Sequence, residues 1–258
     1  MTGPAGTEPK TLLLTGGSQG IGRATVEWFL ARNWRVAFVA RDPEGVRRTV
    51  AELVAAGFDP GFICGEVLDV GDLDAVEALP ARLPMLADGL DALVLNAFYQ
   101  KLKPAQDLTR AELDSHWRIN NLSPVVLMQT CMPFLRQRQG SIVYVGSVMD
   151  DRAEPGYAAY GASKAYMRSF IRHAACDFGP LGVRINAVSP GAIRTDALDR
   201  VIANGGEDGR AAHEVLMRRI PLENRCGHAA EVAESIWFAA TGPRYFHGRD
   251  LRLDGGLY

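Results

Sequence analysis

Lysine is scarce in this 258-residue chain: Lys10, Lys101, Lys103 and Lys164 stand against 24 arginines. Acidic residues number 30, and the formal net charge is −2. With no basic excess, nucleic acid is not an expected partner. Cysteine is sparse as well. Cys64, Cys131, Cys176 and Cys226 lie far apart with no CxxC pair, which excludes a disulfide framework and a zinc knuckle as first readings. The five histidines show neither HxxxH nor HExxH spacing, so no metal site is expected. No apolar run approaches the roughly 20 residues that a membrane helix needs. The opening residues MTGPAGTEPK lack the apolar core of a secretory signal. These absences predict a cytoplasmic protein that does not engage membranes.

What is present is a packed-core composition, 47% hydrophobic with 27 glycines. Short apolar runs alternate with stretches of helical spacing. Strands are predicted at 11–15, 36–40, 62–67, 91–95, 141–145, 183–188 and 250–253. Helices are predicted from Ile21 to about Ala31, from Asp42-Pro43 onward, and from Asp72 to Leu83, where Pro80 and Pro84 end or loosen the last. Further helices are predicted over 109–138, 157–178 and 229–240. Pro124 and Pro133 should break or bend the long stretch over 109–138. Residues 195–220 are polar and Arg-rich and read as a substrate flap, while residues 1–9 read as flexible. Strand–helix alternation throughout predicts one α/β domain over 1–258. It is doubly wound, a Rossmann arrangement, with a seven-stranded parallel sheet and helices on both faces.

The first predicted strand runs directly into Thr15-Gly16-Gly17-Ser18-Gln19-Gly20-Ile21-Gly22 and then into an apolar helix. Glycines there allow a tight turn and close approach of backbone N–H groups to a phosphate. The helix N-terminus adds partial positive charge. This context is the one that a dinucleotide-binding turn requires. At the end of the second strand, the position that would carry an acid for an adenosine ribose holds Ala40. Arg41 follows, with a fork of donors suited to a 2′-phosphate, so NADP(H) is favoured over NAD(H). The bland alternative leaves Arg41 as a solvated charge and Asp42 as a helix cap.

Tyr160 and Lys164 are four residues apart on a predicted helix and so share one face. A nearby ammonium should lower the pKa of a phenol and ease proton transfer. With 7 tyrosines and 4 lysines, chance supplies on the order of 0.1 such pairs, so the scarcity of lysine sharpens the signal. Ser147 lies at the carboxyl end of the fifth strand, where functional groups gather in open parallel sheets. A hydroxyl there can stabilise charge developing on a substrate oxygen, although a turn or cap serine is the ordinary reading.

Over nearly its whole length, from about Lys10 to Gly256, the sequence resembles the short-chain dehydrogenase/reductase family. Its TGxxxGIG turn is Thr15 to Gly22, and its YxxxK pair is Tyr160 and Lys164. The serine expected about thirteen residues earlier is Ser147. The asparagine expected in the preceding long helix matches Asn121, with Asn120 the rival. Asp69-Val70 resembles the adenine-contacting pair after the third strand. Asn186 to Thr195 resembles the N-x-V-x-P-G-x-I-x-T stretch near the nicotinamide. One departure stands out: Leu95-Asn96-Ala97-Phe98 keeps the asparagine and alanine of Asn-Asn-Ala-Gly but carries Phe98 in place of the glycine. Phe98 either packs into the core or lines the substrate cleft.

The resemblance implies a carbonyl reductase, or equally an alcohol dehydrogenase, with Tyr160 as general acid and base. Ser147 would orient the carbonyl oxygen. Lys164 would hold the nicotinamide ribose and lower the Tyr160 pKa. Asn121 would position a water in a proton relay. Cofactor contacts would fall on Gly16, Ser18, Gln19, Gly20, Ile21, Gly22, Arg41, Asp69, Val70, Asn96, Ala97, Tyr160, Lys164, Pro190, Gly191, Ile193 and Thr195. The substrate would be a small carbonyl compound, aromatic or polycyclic given Phe98, Met149 and Tyr157 and the flap residues Leu198, Val201, Ile202, Val215, Leu216 and Met217. Arg152, Arg194 and His213 could instead meet an anionic group. A homo-oligomer, tetramer or dimer, is implied through the long helices. Two other activities remain open: cofactor binding without reductase activity, and dehydration or epimerisation on the same scaffold.

Overall fold

The structure is a computed structural model that describes residues 8–195, 198–199, 202–203 and 206–257. In chain order the elements are β1 (Thr11–Thr15), α1 (Gly20–Leu30), β2 (Arg35–Ala40), α2 (Pro43–Ala55), β3 (Ile63–Val67), α3 (Leu73–Ala78) and β4 (Ala92–Leu95). They continue with α4 (Arg110–Trp117), α5 (Ser123–Arg138), β5 (Ser141–Val145), α6 (Ala158–Phe178), β6 (Arg184–Pro190) and β7 (Ile193–Arg194). The chain closes with α7 (Gly206–Arg218), β8 (Gly227–His228), α8 (Ala229–Thr241) and β9 (Asp250–Leu253). Seven strands form one parallel sheet in the order β3-β2-β1-β4-β5-β6-β9. The expected doubly wound sheet is therefore present. The short parallel pair β7–β8 was not legible in the sequence.

Alternation along each strand sorts side chains to two cores. Leu12 and Leu14 of β1 join Val26 and Phe29 of α1, Val46 and Leu53 of α2, and Val232 and Ile236 of α8 on one face. Leu13 points the other way, toward Leu127 and Leu135 of α5 and Met167 and Ile171 of α6. On the first face, Phe29, Trp34 and Trp237 meet edge to face with centroids 5.0–5.5 Å apart, joining α1 to α8. Each such pair contributes about 0.5–1.5 kcal/mol beyond its buried area.

The direction of strand order reverses at β1, whose neighbours are β2 and β4. A crevice opens at the carboxyl ends of such strands, where open α/β sheets take ligands. The long stretch over 109–138 departs from expectation. It is interrupted by a π-helical turn at Arg118–Leu122, just before Pro124 in the first turn of α5, whereas α5 runs on through Pro133. Pro80 and Pro84 behave as expected: α3 stops at Ala78, and two short 3₁₀ turns carry the prolines. The second half of the expected flap is α7. Residues 1–7, and flap residues 196–197, 200–201 (with Val201) and 204–205, lie outside the described residues.

Candidate active site

The glycine turn is built by close approach. Gly16 has φ +76°, in the left-handed region, and a Cβ there would lie 2.9 Å from Asn96 Nδ2. A Cβ on Gly22 would collide with the Gly16 carbonyl oxygen. Asn96 fixes this junction by donating from Nδ2 to the carbonyls of Thr15 and Gly16, 3.1 Å each. Thr15 Oγ1 accepts from the N–H groups of Asn96 and Ala97, at 3.0 and 3.1 Å. Ser18, Gln19, Gly20 and Ile21 carry the turn into α1, whose first residue is Gly20. Thr195 Cγ2 would lie 3.3 Å from a Cβ on Gly20, so the segment after β7 closes over the turn.

At the end of β2, Arg41 is exposed, and Asp42 is committed to α2. The Asp42 carboxylate accepts from the N–H groups of Glu44 and Gly45 at 3.2 and 3.0 Å. Asp42 is thus the helix cap, and Arg41 is the charged group facing outward from that strand end. Asp69 follows β3 and accepts from the Gly71 N–H at 2.8 Å. Val70 lines a water-sized cavity of about 10 Å³ with Thr15, Leu95, Ala97 and Ile119. Pro190 ends β6, the Gly191 N–H donates to the Leu253 carbonyl at 2.7 Å, and Ile193 opens β7. The expected cofactor residues from Gly16 to Thr195 thus lie at or after the carboxyl ends of strands of the sheet.

The 21-residue helix α6 buries a stripe of Tyr160, Ser163, Lys164, Met167 and Ile171, the spacing of one helical face. Gly161 lets this helix rest on the turn after Ser147, since a Cβ there would lie 2.8 Å from the Met149 carbonyl oxygen. That contact sets the Ser147 turn against the part of α6 that carries Tyr160. Ser147 and Tyr160 are both buried, at 8% and 7% exposed. Lys164 is buried, and its Nζ donates to the Val145 carbonyl at 2.8 Å. Three aromatic rings surround the ammonium, with centroids 4.8 Å (Tyr144), 5.5 Å (Phe98) and 5.6 Å (Tyr160) from Nζ.

Burial corrects one expectation. The Tyr160 phenol is not lowered by its neighbour but pushed up to about 12, because burial outweighs the opposing influence of the Ser147 hydroxyl. Burial also pushes Lys164 down to about 7, with only the charge of Asp150 working the other way. The ligand-free pair is thus a firmly protonated phenol beside an amine that titrates near neutrality.

The π-helical turn places two asparagines side by side, a frequent feature of functional helices. Asn120 is fully used. Its Oδ1 accepts from the Tyr99 N–H at 2.7 Å, and its Nδ2 donates to the Tyr99 carbonyl and to Ser163 Oγ at 2.9 Å each. Asn121 donates to the Ser163 carbonyl at 2.8 Å, and its buried Oδ1 has no protein partner. That orphaned acceptor, in a site lined by hydroxyls, fits a bound water. Together with the glycine cradle it fits the residues present to a dinucleotide.

Phe98 belongs to the cleft and not to the core. It is 52% exposed, and its ring stands edge-on to Tyr160 at 6.1 Å. Tyr157 flanks Tyr160 on another side at 6.2 Å. Of the candidate anion contacts, Arg152 pairs with Glu154 at 3.0 Å and Arg194 lies 3.6 Å from Asp199. Two neighbours escaped the sequence reading: Tyr144, which looked like an ordinary buried strand residue, and Asp150. Among the described residues no helix is long and apolar enough to cross a membrane.

Comparison with known proteins agrees with this geometry. Residues 16–258 match a family model described as enoyl-(acyl carrier protein) reductase. Protein FixR of Bradyrhizobium diazoefficiens is 34% identical over 261 residues, 97% of this chain and 87% of that protein. Glucose 1-dehydrogenase of Gluconobacter oxydans is 31% identical over 254 residues, 96% and 91% of the two chains. The solved structure of ElxO with NADP bound superposes with a TM-score of 0.87 at 25% identity, covering 97% of this chain and 99% of that one. A glycine turn at the sheet's reversal point, a serine turn packed against a Tyr–Lys helix, and similarity along the whole chain place this protein in the short-chain dehydrogenase/reductase family, the NAD(P)-dependent oxidoreductases of CH–OH and C=O groups.

Proposed function

We propose that the chain is an NADPH-dependent ketone reductase working as one dinucleotide-binding domain, and that Tyr160 is its proton donor. The observation that carries this reading is the placement of Tyr160 and Lys164 one turn apart on the buried face of α6, with Gly161 packed against the turn that follows Ser147. When bound, the dinucleotide supplies the hydride that reaches the carbonyl carbon. Tyr160 donates its proton to the carbonyl oxygen, and Ser147 donates a hydrogen bond to the same atom as charge develops there. Lys164 would provide positive charge beside the phenol and would hold the ribose. Asn121 Oδ1 accepts from the water that returns a proton to this pair.

Gly16, Ser18, Gln19, Gly20, Ile21 and Gly22 would cradle the pyrophosphate at the α1 N-terminus. Arg41 would hold the 2′-phosphate, a choice supported by the capping role of Asp42 and by the NADP in the ElxO structure. Asp69 and Val70 would border the adenine. Asn96, Ala97, Pro190, Gly191, Ile193 and Thr195 would enclose the nicotinamide half. Phe98 and Tyr157, on two sides of the phenol, favour a flat apolar or aromatic ketone. Exposed Leu113, Trp117, Leu122 and Tyr166, with Trp117 and Tyr166 in ring contact at 4.9 Å, support self-association through α4 and α6.

A panel of aryl, alicyclic and short aliphatic ketones with NADPH and NADH, followed at the nicotinamide absorbance band, tests this function. Oxidation of NADPH with an aryl or alicyclic ketone is the expected result. Turnover with NADH alone overturns the cofactor choice, and no turnover with any ketone overturns the activity.

A further inference from the structure

At the end of the sheet opposite the glycine turn, three arginines share one hollow. Arg184 opens β6, and Pro190 closes that strand about 20 Å away, at the end expected to meet the cofactor. Around Arg184 lies a cavity of about 390 Å³, the size of a small-molecule site. Arg244, Tyr245, His247 and Arg249, from the segment between α8 and β9, line it as well. Among the described residues no carboxylate lines this cavity, and none of the three arginines forms an ion pair.

The partners of these arginines are carbonyls. Arg184, 7% exposed, donates to the carbonyls of Ala239 at 3.1 Å, Ala240 at 2.5 Å and Phe246 at 3.2 Å. Arg244 donates to the carbonyls of Gln139 at 3.2 Å and Gly182 at 3.0 Å. Arg249 is exposed and engages only its backbone N–H, which donates to Asn186 Oδ1 at 3.1 Å. His247 adds no charge. Its Nδ1 accepts from the Ile185 N–H at 3.1 Å, and its Nε2 donates to the Ala175 carbonyl at 2.8 Å. Capping the carbonyl ends of α5, α6 and α8 is the ordinary use of such side chains. It leaves charge over. Each helix end offers about half a negative charge, so three ends offset about 1.5 of the three positive ones. Burial lowers the proton affinity of Arg184, and the like charge of Arg244 lowers it further.

We infer that this hollow is a second binding site, for a phosphorylated small molecule: Arg244 and Arg249 hold the phosphate above Arg184, and Tyr245 meets the organic part. A phosphate monoester carries about −1.5 to −2 at neutral pH, which matches the charge left over. A carboxylate brings one charge and leaves part of it uncompensated. Guanidinium forks also suit the paired oxygens of a phosphate. The Tyr245 ring is fully exposed beside them, a flat surface on which a sugar or base can rest. At about 390 Å³ the hollow has room for more than a bare phosphate.

Calorimetric titration of the full chain with adenosine 5′-monophosphate, ribose 5-phosphate and adenosine tests the inference. NADPH is kept at saturation, so that the crevice beside Arg41 is filled, and Arg41→Ala serves as a second control. Both phosphates should bind, and adenosine at least about tenfold more weakly. Arg249→Ala removes a side chain that the fold does not use, and it should weaken both phosphates about tenfold. Arg41→Ala should leave them unchanged. Tyr245→Ala should weaken the adenosine phosphate and spare ribose 5-phosphate. The inference is overturned if neither phosphate binds, if NADPH displaces them, or if Arg249→Ala leaves their affinity as it was. Adenosine binding as tightly as its phosphate overturns it too. The readout is binding and not turnover, so it stands apart from the reductase reading.

Discussion

Lys164 Nζ lies 5.6 Å from the centroid of the Tyr160 ring, and burial drives the two groups in opposite directions, the phenol up to about 12 and the amine down to about 7. A phenol that keeps its proton suits donation to a carbonyl oxygen. The reverse reaction needs the phenolate, which a phenol pushed up to about 12 yields only as the pH rises. Reduction should accordingly be the easier direction at neutral pH, and oxidation should need higher pH.

Tyr160→Phe removes the proposed donor and little else, since the ring contacts with Phe98 and Tyr157 remain. We expect kcat for ketone reduction to fall about 10²–10⁴-fold. NADPH affinity, measured by fluorescence titration, should stay within about threefold. Near-normal turnover in this variant would remove Tyr160 from the mechanism.

A lowered lysine pKa is also a statement about stability. Between about 7 and the ordinary 10.5, the unfolded chain holds a proton on Lys164 that the folded chain does not. Stability therefore rises with pH across that window, and the full penalty of the buried ammonium is present below it. Lys164→Met abolishes the penalty along with activity. Thermal melts at pH 6 should show the variant about 2 °C or more above wild type, with the gap narrowing toward pH 10. Equal melting points at pH 6 would mean that the buried ammonium costs nothing.

Arg41 is exposed, which places its contribution at the low end for a charge-assisted hydrogen bond, about 1.5 kcal/mol. Arg41→Ala should raise the Kd for NADPH about tenfold and leave that for NADH within about twofold. Equal losses for both dinucleotides would point to a general electrostatic effect and away from 2′-phosphate recognition.

Phe98→Ala opens the wall beside Tyr160. An edge-to-face contact is worth about 0.5–1.5 kcal/mol, so KM for an aryl ketone should rise about two- to tenfold. KM for a short aliphatic ketone should change little. A uniform change across both classes would assign Phe98 to shaping the site as a whole and not to choosing substrates.

Much of this was readable from local signals. The glycine turn, the Tyr–Lys pair and Ser147 each lie within a few residues of a strand end or on one helix face. Asn121 was preferred to Asn120 on its neighbour alone. The structure adds the reason, because Asn120 spends its amide on Tyr99 and Ser163 while Asn121 keeps a free acceptor. What stayed hidden depends on distance along the chain or on depth. Asp150 meets Arg252 only because the chain folds back across 102 residues. The shift of Tyr160 is set by how completely the cleft excludes water, and spacing carries no record of that. Pro133, expected to break or bend the long stretch, lies inside α5 without ending it, while the interruption falls at 118–122.

The contact between Gly161 and the Met149 carbonyl has a consequence for how this site can change. The spacing between Tyr160 and Ser147 is held by a position that has no side chain. Even a methyl group there would meet backbone at 2.8 Å and push the serine turn away from the helix. Every residue with chemistry to perform would survive such a change intact, yet their mutual alignment would not. A position that does none of the site's chemistry is therefore one where the site tolerates little change.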